Sequence, residues 1–297
     1  MKRTGELLLV LTALIWGSAF VAQSKAAEYL GAFTINGVRN FIGCAVLVPL
    51  FRLTSRAPVG REKQRVLKGG IICGIFLFIA ANIQQFALGY VDALGNKQPV
   101  GKVSFITSLY IVLVPVFGIF MKRKTGLKTW LSVAIACVGM YLLTGAEGLF
   151  NMTGGDLLSL VCAGVFACQI IAIDIFAPEV DCIRLAHIEF GVCGVLSMLC
   201  AFIFETPAWS NLWAARWSIL YCGIFSSGIA YTLQMIGQKK CKPQVSSLIM
   251  SLESVFGALS GFVLLGERLS GAELAGCGLC LIAVALTQIK LKGLKDA

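Results

Sequence analysis

The residue of greatest chemical interest in this sequence is Glu253, a carboxylate set in the middle of a long apolar stretch. It lies about eight residues into the segment 245–265, which as a helix would carry it to mid-membrane depth. A carboxylate there costs roughly 2.5 to 3.5 kcal/mol unless it is paired, hydrated or protonated. Two roles are open. Glu253 either binds a cationic group or exchanges a proton, or it is a protonated structural acid bonded to a neighbouring helix.

Two further charges, Arg39 and Glu189, lie one to two turns inside their own apolar segments. A buried guanidinium can bind a carboxylate or stabilise a gate, and a buried acid such as Glu189 can likewise contribute charge to a gate. A structural arginine that snorkels toward the membrane surface is an equally good interpretation of Arg39. The two residues are expected to lie too far apart to pair with each other.

Aromatic and polar side chains in two other segments are placed to line a pathway. Trp16 is in the middle of the first segment, too deep for an interfacial anchor, so it is predicted to form a wall, with plain helix packing as the alternative. Gln23 follows seven residues later, two turns along the same face. Tyr110 occupies the position in the fourth segment that matches Glu253 in the ninth, and Ser108 lies on a nearby turn.

The third and eighth segments repeat one polar spacing. Asn82 and Gln85 are three residues apart, and so are Tyr231 and Gln234, which places each pair on one helix face. Such pairs either line a cavity or join helices by hydrogen bonds worth roughly 0.6 kcal/mol per contact. Gln169 in the sixth segment belongs to the same class, and we expect all five to line the pathway.

The elements that must position these residues are membrane helices. About 58% of the 297 residues are apolar and 13% are charged, which is far from the balance of a soluble domain. Ten apolar stretches are each long enough, at roughly 17 to 23 residues, to cross about 30 Å of hydrocarbon. They are residues 7–25, 33–51, 69–89, 101–121, 129–145, 155–177, 185–204, 216–236, 245–265 and 272–289. The sequence therefore predicts an all-α integral membrane protein with ten transmembrane helices.

The chain also repeats itself with its loop charges reversed. The letters GELL at 5–8 return as GDLL at 155–158, and CGIF at 73–76 returns at 222–225. The loop 52–68 is strongly basic whereas its counterpart near 205–216 is neutral. Because basic loops mark the cytoplasmic side, residues 1–150 and 151–297 are predicted to form two inverted five-helix repeats. The chain is expected to be a multi-pass protein of the cell membrane with both termini in the cytoplasm.

Several other classes of protein are excluded or disfavoured. The net charge of +10 comes from short loops without aromatic platforms, so the lipid bilayer and not a nucleic acid is the expected counter-surface. Cys277 and Cys280 have the spacing of a metal half-site, but no second pair completes it, and neither metal nor cofactor is expected. No GxxxxGK[ST] loop is present, so ATP is not the expected energy source. With His187 as the one histidine, no catalytic set is predicted either.

The order of several short motifs resembles that of the EamA-type transporters of the drug/metabolite transporter superfamily. The motifs are LIWGSAF at 14–20, Arg39, FITSLYIVLVP at 105–115 and GERL at 266–269. This resemblance implies a secondary transporter that exports small metabolites such as amino acids, by alternating access through a central cavity between inverted repeats. The sequence departs from the family at Ser254, where proline often follows the glutamate.

The partners implied by this interpretation are a small-molecule substrate, the lipid bilayer and, through the buried acid, a proton as coupling ion. The chain is expected to act as a monomer or a homodimer. A flippase for a lipid-linked sugar or another amphipathic lipid remains the alternative, because the same helices with a laterally open cavity would serve it.

Overall fold

The computed structural model describes residues 2–54, 58–92, 95, 97–98, 100–122, 125–144, 152–265 and 270–288. The predicted boundary near residue 150 and the GERL turn at 266–269 lie outside these ranges. Within the described residues the protein is helical, with one isolated β-bridge between Val91 and Lys97.

Six helices lie in the described residues of the first half of the chain. They are α1 (Lys2–Ala26), α2 (Ala32–Thr54), α3 (Arg61–Leu88), α4 (Val100–Ser108), α5 (Tyr110–Phe120) and α6 (Leu127–Thr144). The second half contains α7 (Gly154–Phe176), a 3₁₀ turn (Ala177–Glu179), α8 (Cys182–Phe204), α9 (Trp209–Ala214), α10 (Arg216–Tyr221), a π-helical segment (Cys222–Tyr231), α11 (Thr232–Gln238), α12 (Pro243–Met250), α13 (Glu253–Leu265) and α14 (Gly271–Gln288).

Eight helical spans among the described residues are long and apolar enough to cross a membrane. Some of them combine consecutive helices, such as Val100–Phe120 and Pro243–Leu264. Two further apolar helices, Leu127–Leu142 and Gly271–Leu286, are shorter. The class predicted from the sequence, an all-α membrane protein, is therefore confirmed.

The fourth and ninth predicted segments are each divided by a short break. The first lies at Leu109, between α4 and α5, and the second at Ser251 and Leu252, between α12 and α13. No proline lies at either break. At the second, the Ser251 hydroxyl donates to the carbonyl of Leu248 at 2.8 Å, a local bond that competes with the helical ladder and bends helices.

Helices from the two halves of the chain pack against each other. Helix α1 packs on α13 and on the span from α10 to α11, while α7 packs on α3, α4 and α5. Helix α2 packs on α8, and α6 packs on α14. The π-helical segment carries the second CGIF sequence, and α2 crosses it where Gly223 has no Cβ to collide with Ile42. Segments of π-helix are rare in proteins, and those that occur are often found at functional sites.

Polar contacts at the helix ends join the two halves of the chain. Glu205, just beyond α8, accepts hydrogen bonds from the backbone N–H groups of Phe33 and Thr34 at 2.9 and 2.8 Å, and so caps the start of α2. Asp156, in the first turn of α7, forms an ion pair of 2.6 Å with Lys102 of α4. Both contacts connect residues that are more than fifty positions apart in the sequence.

Candidate functional site

The two helix breaks meet at the centre of the bundle. Tyr110 begins α5 and Glu253 begins α13, and the tyrosine hydroxyl donates to Glu253 Oε1 at 3.0 Å. Ser108 donates to the same oxygen at 3.2 Å. Ser254 continues the network, 2.8 Å from the Ser108 hydroxyl, so three hydroxyl groups surround one side of a buried carboxylate.

An aromatic wall faces this carboxylate from two other helices. The rings of Trp16 in α1 and Tyr231 in the π-helical segment lie with their centroids 4.6 Å apart, tilted by 58°. Phe190 of α8 meets the far side of Tyr231 edge-on at 6.0 Å. Trp16 Nε1 is buried and has no hydrogen-bond partner among the described residues.

Arg39 is fully enclosed by protein, with 2% of its surface exposed. Its Nη1 donates to Gln23 Oε1 at 2.8 Å, while Nε has no hydrogen-bond partner among the described residues. The alternative considered from the sequence, in which Arg39 extends toward the membrane surface, is therefore not the conformation seen in the structure. The amide of Gln85 donates to the backbone carbonyl of Gln23 at 3.2 Å and so supports α1 from α3.

A chain of amides connects Glu189 to the same centre. Gln169 Nε2 donates to Glu189 Oε1 at 2.9 Å, and Gln234 Nε2 approaches Gln169 Oε1 at 3.4 Å. Glu189 Oε2 and Gln234 Oε1 are buried without a hydrogen-bond partner among the described residues. Glu189 is completely buried, and it lies behind Gln169 as seen from the centre of the bundle.

These groups surround a narrow cavity with about 30 Å³ open to water-sized molecules. That is room for two or three waters, at roughly 10 to 15 Å³ each. Both halves of the chain contribute to its walls. The lining residues are Trp16, Phe20, Gln23, Arg39, Gln84, Thr107, Tyr110, Phe166, Gln169, Ile170, Ser226, Tyr231, Gln234 and Glu253.

Three buried ionisable side chains stand in or beside this cavity. In the part of the chain that the structure describes, neither Arg39 nor Glu189 nor Glu253 forms an ion pair. Tyr231 lies within electrostatic reach of all three. A buried charge without compensation is costly, so an arrangement of this kind indicates a functional site more than a structural one.

Three of the residues predicted for the pathway are not part of the cavity wall: Ser108, which bonds Glu253, and Asn82 and Gln85. Asn82 accepts from Asn36 Nδ2 at 3.1 Å and donates to Ser197 Oγ at 3.0 Å, which joins α2, α3 and α8. Gln85 contacts Gln23 but is not part of the cavity wall. This pair therefore forms interhelical hydrogen bonds, whereas Tyr231 and Gln234, which match it in the second half, reach the cavity.

Six residues of the cavity wall escaped the sequence-based selection. They are Phe20, Gln84, Thr107, Phe166, Ile170 and Ser226. Gln84 and Thr107 were within reach of sequence reasoning, because both are polar residues deep in apolar stretches. The three apolar ones carry no such signal.

Metal ligands do not gather among the described residues, where no group of three or more His, Cys, Asp or Glu side chains could hold an ion. None of the twelve cysteines, all of which the structure describes, forms a disulfide bond. Cys280 donates to the carbonyl of Ala136, which places this cysteine in the packing between α14 and α6.

Comparison with known proteins gives consistent results. The model of the EamA-like transporter family matches the chain twice, over residues 3–145 and 153–289. An uncharacterised transporter of Archaeoglobus fulgidus is 30% identical over 96% of this chain and 86% of its own. The threonine/homoserine exporter RhtA of Escherichia coli is 25% identical over 93% of this chain and 88% of its own. A solved crystal structure that is 21% identical superimposes with a TM-score of 0.77 over 96% of each chain.

Proposed function

Because the chain belongs to the EamA-like transporter family and is a multi-pass membrane protein, we propose that it is a secondary transporter that exports small polar metabolites such as amino acids. The observation that carries this proposal is the buried cavity whose wall includes both Arg39 and Glu253, neither of which forms an ion pair among the described residues. A soluble ligand with its own charges would compensate both. A transport role and not an enzymatic one is proposed, since the family to which the chain belongs is one of transporters.

The second part of the proposal is that ten helices form two inverted five-helix repeats, residues 1–150 and 151–297. The family model matches each half separately. The helix contacts support this symmetry, because each contact has a counterpart when the two halves are interchanged. The contact of α3 with α7 corresponds to that of the span α10–α11 with α1. The contact of α1 with α13 corresponds to that of α7 with α4 and α5. The two pairs that would map onto themselves, α2 with α8 and α6 with α14, are also in contact.

The small size of the cavity supports a mechanism of alternating access. The space between the walls holds only a few waters, so a metabolite can bind only after helices move apart. The breaks at Leu109 and Ser251 lie at equivalent positions of the two proposed repeats and divide helices that line the cavity. Discontinuous helices at mid-membrane are typical of substrate sites in secondary transporters.

The proposed orientation rests on loop charge. Basic residues concentrate at one set of loops, including 239–242 with its three lysines, and such loops face the cytoplasm. Both termini are therefore assigned to the cytoplasm, and the pair formed by Lys102 and Asp156 to the outer side.

Substrate class and direction are proposed from the relatives together with the charges. RhtA is named a threonine/homoserine exporter, and both compounds are small neutral amino acids. An amino acid brings one carboxylate and one ammonium group to a cavity that has one cation and a facing acid. The proton is the proposed coupling ion, with Glu253 as its binding group, and the acting unit is a monomer or a homodimer.

Transport by the purified full-length protein in proteoliposomes tests the proposal. We expect saturable movement of threonine or homoserine that responds to an imposed pH gradient, slower movement in Arg39→Gln, and movement that no longer responds to the gradient in Glu253→Gln. Vesicles without protein supply the background. If none of a panel of amino acids moves while a fluorescent lipid-linked sugar changes leaflet, the flippase alternative replaces this assignment.

A further inference from the structure

A second cavity, which we call the edge cavity, opens near the ends of three helices and shares no lining residue with the central one. It has about 380 Å³ open to water-sized molecules, within the roughly 300 to 1,000 Å³ that ligand pockets occupy. Its mouth is formed by Phe51 near the end of α2, Lys63 near the start of α3 and Arg184 near the start of α8. Because each of these residues lies within about one turn of its helix end, the mouth lies at the depth of the lipid headgroups.

Both α3 and α8 present a cation at the mouth of the edge cavity and apolar side chains one turn deeper. On α3, Lys63 is followed in the wall by Val66 and Leu67, and on α8, Arg184 is followed by Ile188. Residues three or four positions apart share a helix face, so on each helix the charge and the apolar surface follow one another along the same face. The edge cavity is therefore cationic at its mouth and apolar in its depth.

Ring contacts hold the arginine of the mouth in place. The guanidinium of Arg184 lies 4.8 Å from the centroid of the Phe51 ring, and the rings of Phe51 and His187 meet edge-on with their centroids 4.9 Å apart. His187 Nδ1 lies 3.1 Å from the backbone carbonyl oxygen of Cys44, which can only accept, so the imidazole donates there. A cation that is positioned by its neighbours loses less conformational freedom when it binds an anion.

Acids lie close to these cations in the sequence, but none of the described residues that line the edge cavity is acidic. Asp181 caps α8, where its carboxylate accepts from two backbone N–H groups at 2.9 and 3.0 Å. Glu179 pairs with Arg65 at 3.1 Å, and Glu62 is not part of the wall. The charge of the wall is therefore positive, which favours an anion.

An apolar stripe continues from the edge cavity along the surface of α3. Leu67, Ile71, Ile75 and Ile79 are spaced four residues apart along one side of the helix, and their exposed fractions are 50, 40, 41 and 37%. From its first to its last residue the stripe runs for roughly 18 Å, similar to the roughly 15 Å of hydrocarbon in one leaflet. An acyl chain that starts in the edge cavity can follow this stripe toward the middle of the bilayer.

We propose that the edge cavity binds an anionic phospholipid, with the phosphate against Lys63 and Arg184 and an acyl chain along the stripe that starts at Leu67. A soluble phosphate would satisfy the cations and leave the apolar part of the wall in water, whereas a lipid without net charge would cover the apolar part and gain less from the cations. In the orientation proposed above, the lipid belongs to the cytoplasmic leaflet. The site lies outside the transport cavity and does not depend on the identity of the transported solute.

Lipid binding by the purified full-length protein, freed of lipid in a neutral detergent, tests the proposal. Three probes separate the chemistry. Dioleoylphosphatidylglycerol is anionic, dioleoylphosphatidylcholine has the same chains without net charge, and glycerol 3-phosphate is anionic without chains. Native mass spectrometry measures the occupancy of each probe over a range of concentrations, and the shift in heat denaturation provides an independent measurement.

Four variants identify the residues that bind the phosphate. Lys63→Gln and Arg184→Gln each remove one cation from the mouth, whereas Arg184→Lys keeps the charge there. Lys68→Gln is the matched control, because Lys68 is an exposed cation of the same helix that does not line the edge cavity.

We expect the wild type to bind phosphatidylglycerol about tenfold or more tightly than phosphatidylcholine, and glycerol 3-phosphate more weakly than either lipid. Lys63→Gln and Arg184→Gln should each weaken the binding of phosphatidylglycerol about fivefold, the effect of one cation near an anionic lipid surface, and leave that of phosphatidylcholine unchanged. Arg184→Lys should retain most of the affinity, and Lys68→Gln should bind both lipids as the wild type does.

Four results would overturn the proposal. Equal affinity of the wild type for the two lipids would remove the role of charge. An equal loss of affinity in Lys68→Gln, Lys63→Gln and Arg184→Gln would assign the attraction to the basic loops as a whole. Stabilisation by glycerol 3-phosphate as strong as that by phosphatidylglycerol would make the ligand a soluble phosphate. Dimers of the lipid-free protein that Lys63→Gln dissociates would place a second copy of the chain on this face.

Discussion

Tyr110 donates a hydrogen bond of 3.0 Å to Glu253, and each of these residues is the first of a helix that begins in the middle of the bundle. The helices that they begin, α5 and α13, belong to opposite halves of the chain. The bond therefore joins the two breaks directly. Any movement that separates the halves at this level must break it, which makes it a sensitive point for mutation.

Replacing Tyr110 with phenylalanine should slow transport while leaving the fold intact. The ring and its packing remain, but Glu253 loses one of two donors, a change of roughly 1.5 to 3 kcal/mol for a bond to a charged group. We expect about a tenfold change in the initial rate or in the KM for threonine. Tyr221→Phe is the control, since that hydroxyl bonds Ser18 away from the cavity. Equal rates for the two variants would contradict the importance of the bond.

Glu253→Gln should remove the response of transport to pH. Tyr110, Tyr231 and Arg39 line the same cavity as this carboxylate, and none of them forms an ion pair with it. A carboxyl group can take up and release a proton, whereas an amide cannot. Initial rates across a series of external pH values, in the wild type and the variant, measure the effect. A variant that still transports with the pH dependence of the wild type would rule out Glu253 as the coupling group.

The cost of polar groups in lipid made much of the site predictable from the sequence. Glu253 and Arg39 were selected because each is a charged residue inside an apolar stretch, and both line the cavity. Tyr231 and Gln234, selected for their shared helix face, line it as well. Depth along a helix follows from residue number, since each residue adds about 1.5 Å. The sequence was therefore sufficient to predict the depth of the site in the membrane.

The rotation of each helix about its axis was not available from the same information. Gln84 lines the cavity, whereas its neighbour Gln85 turns toward α1 and bonds Gln23. Adjacent residues differ by about 100° around a helix, and which of them faces the centre is decided by packing with helices distant in sequence. The break before Glu253 escaped prediction for a related reason, because the serine that bends the helix there carries a weaker signal than proline.

Glu205→Ala should lower stability through an effect on a distant helix. The carboxylate caps α2 by accepting from Phe33 and Thr34, so its removal leaves buried N–H groups at the start of α2 without a partner. Loss of a cap costs about 1 kcal/mol, within a range of roughly 0.5 to 2. Heat denaturation in detergent should shift downward by about 2–4 °C. Glu28→Ala is the control, because its pair with Lys97 is half-exposed and contributes little, and an equal shift in both variants would argue against the cap.

Gly17→Ala should damage both stability and transport, because α1 and α13 touch through their backbones at this residue. A Cβ on Gly17 would lie 2.7 Å from the carbonyl oxygen of Glu253 and 2.6 Å from the Cβ of Phe256. Neither atom is the end of a flexible side chain, so α1 must move outward, at about 1–3 kcal/mol for overpacking. Gly257, on the facing helix, provides the matched control. A Cβ there meets its nearest atom at 3.7 Å, an ordinary contact, and Gly257→Ala should therefore keep wild-type stability and rate. Heat denaturation together with threonine transport distinguishes the two variants, and a tolerated Gly17→Ala would show that α1 and α13 do not need this close approach.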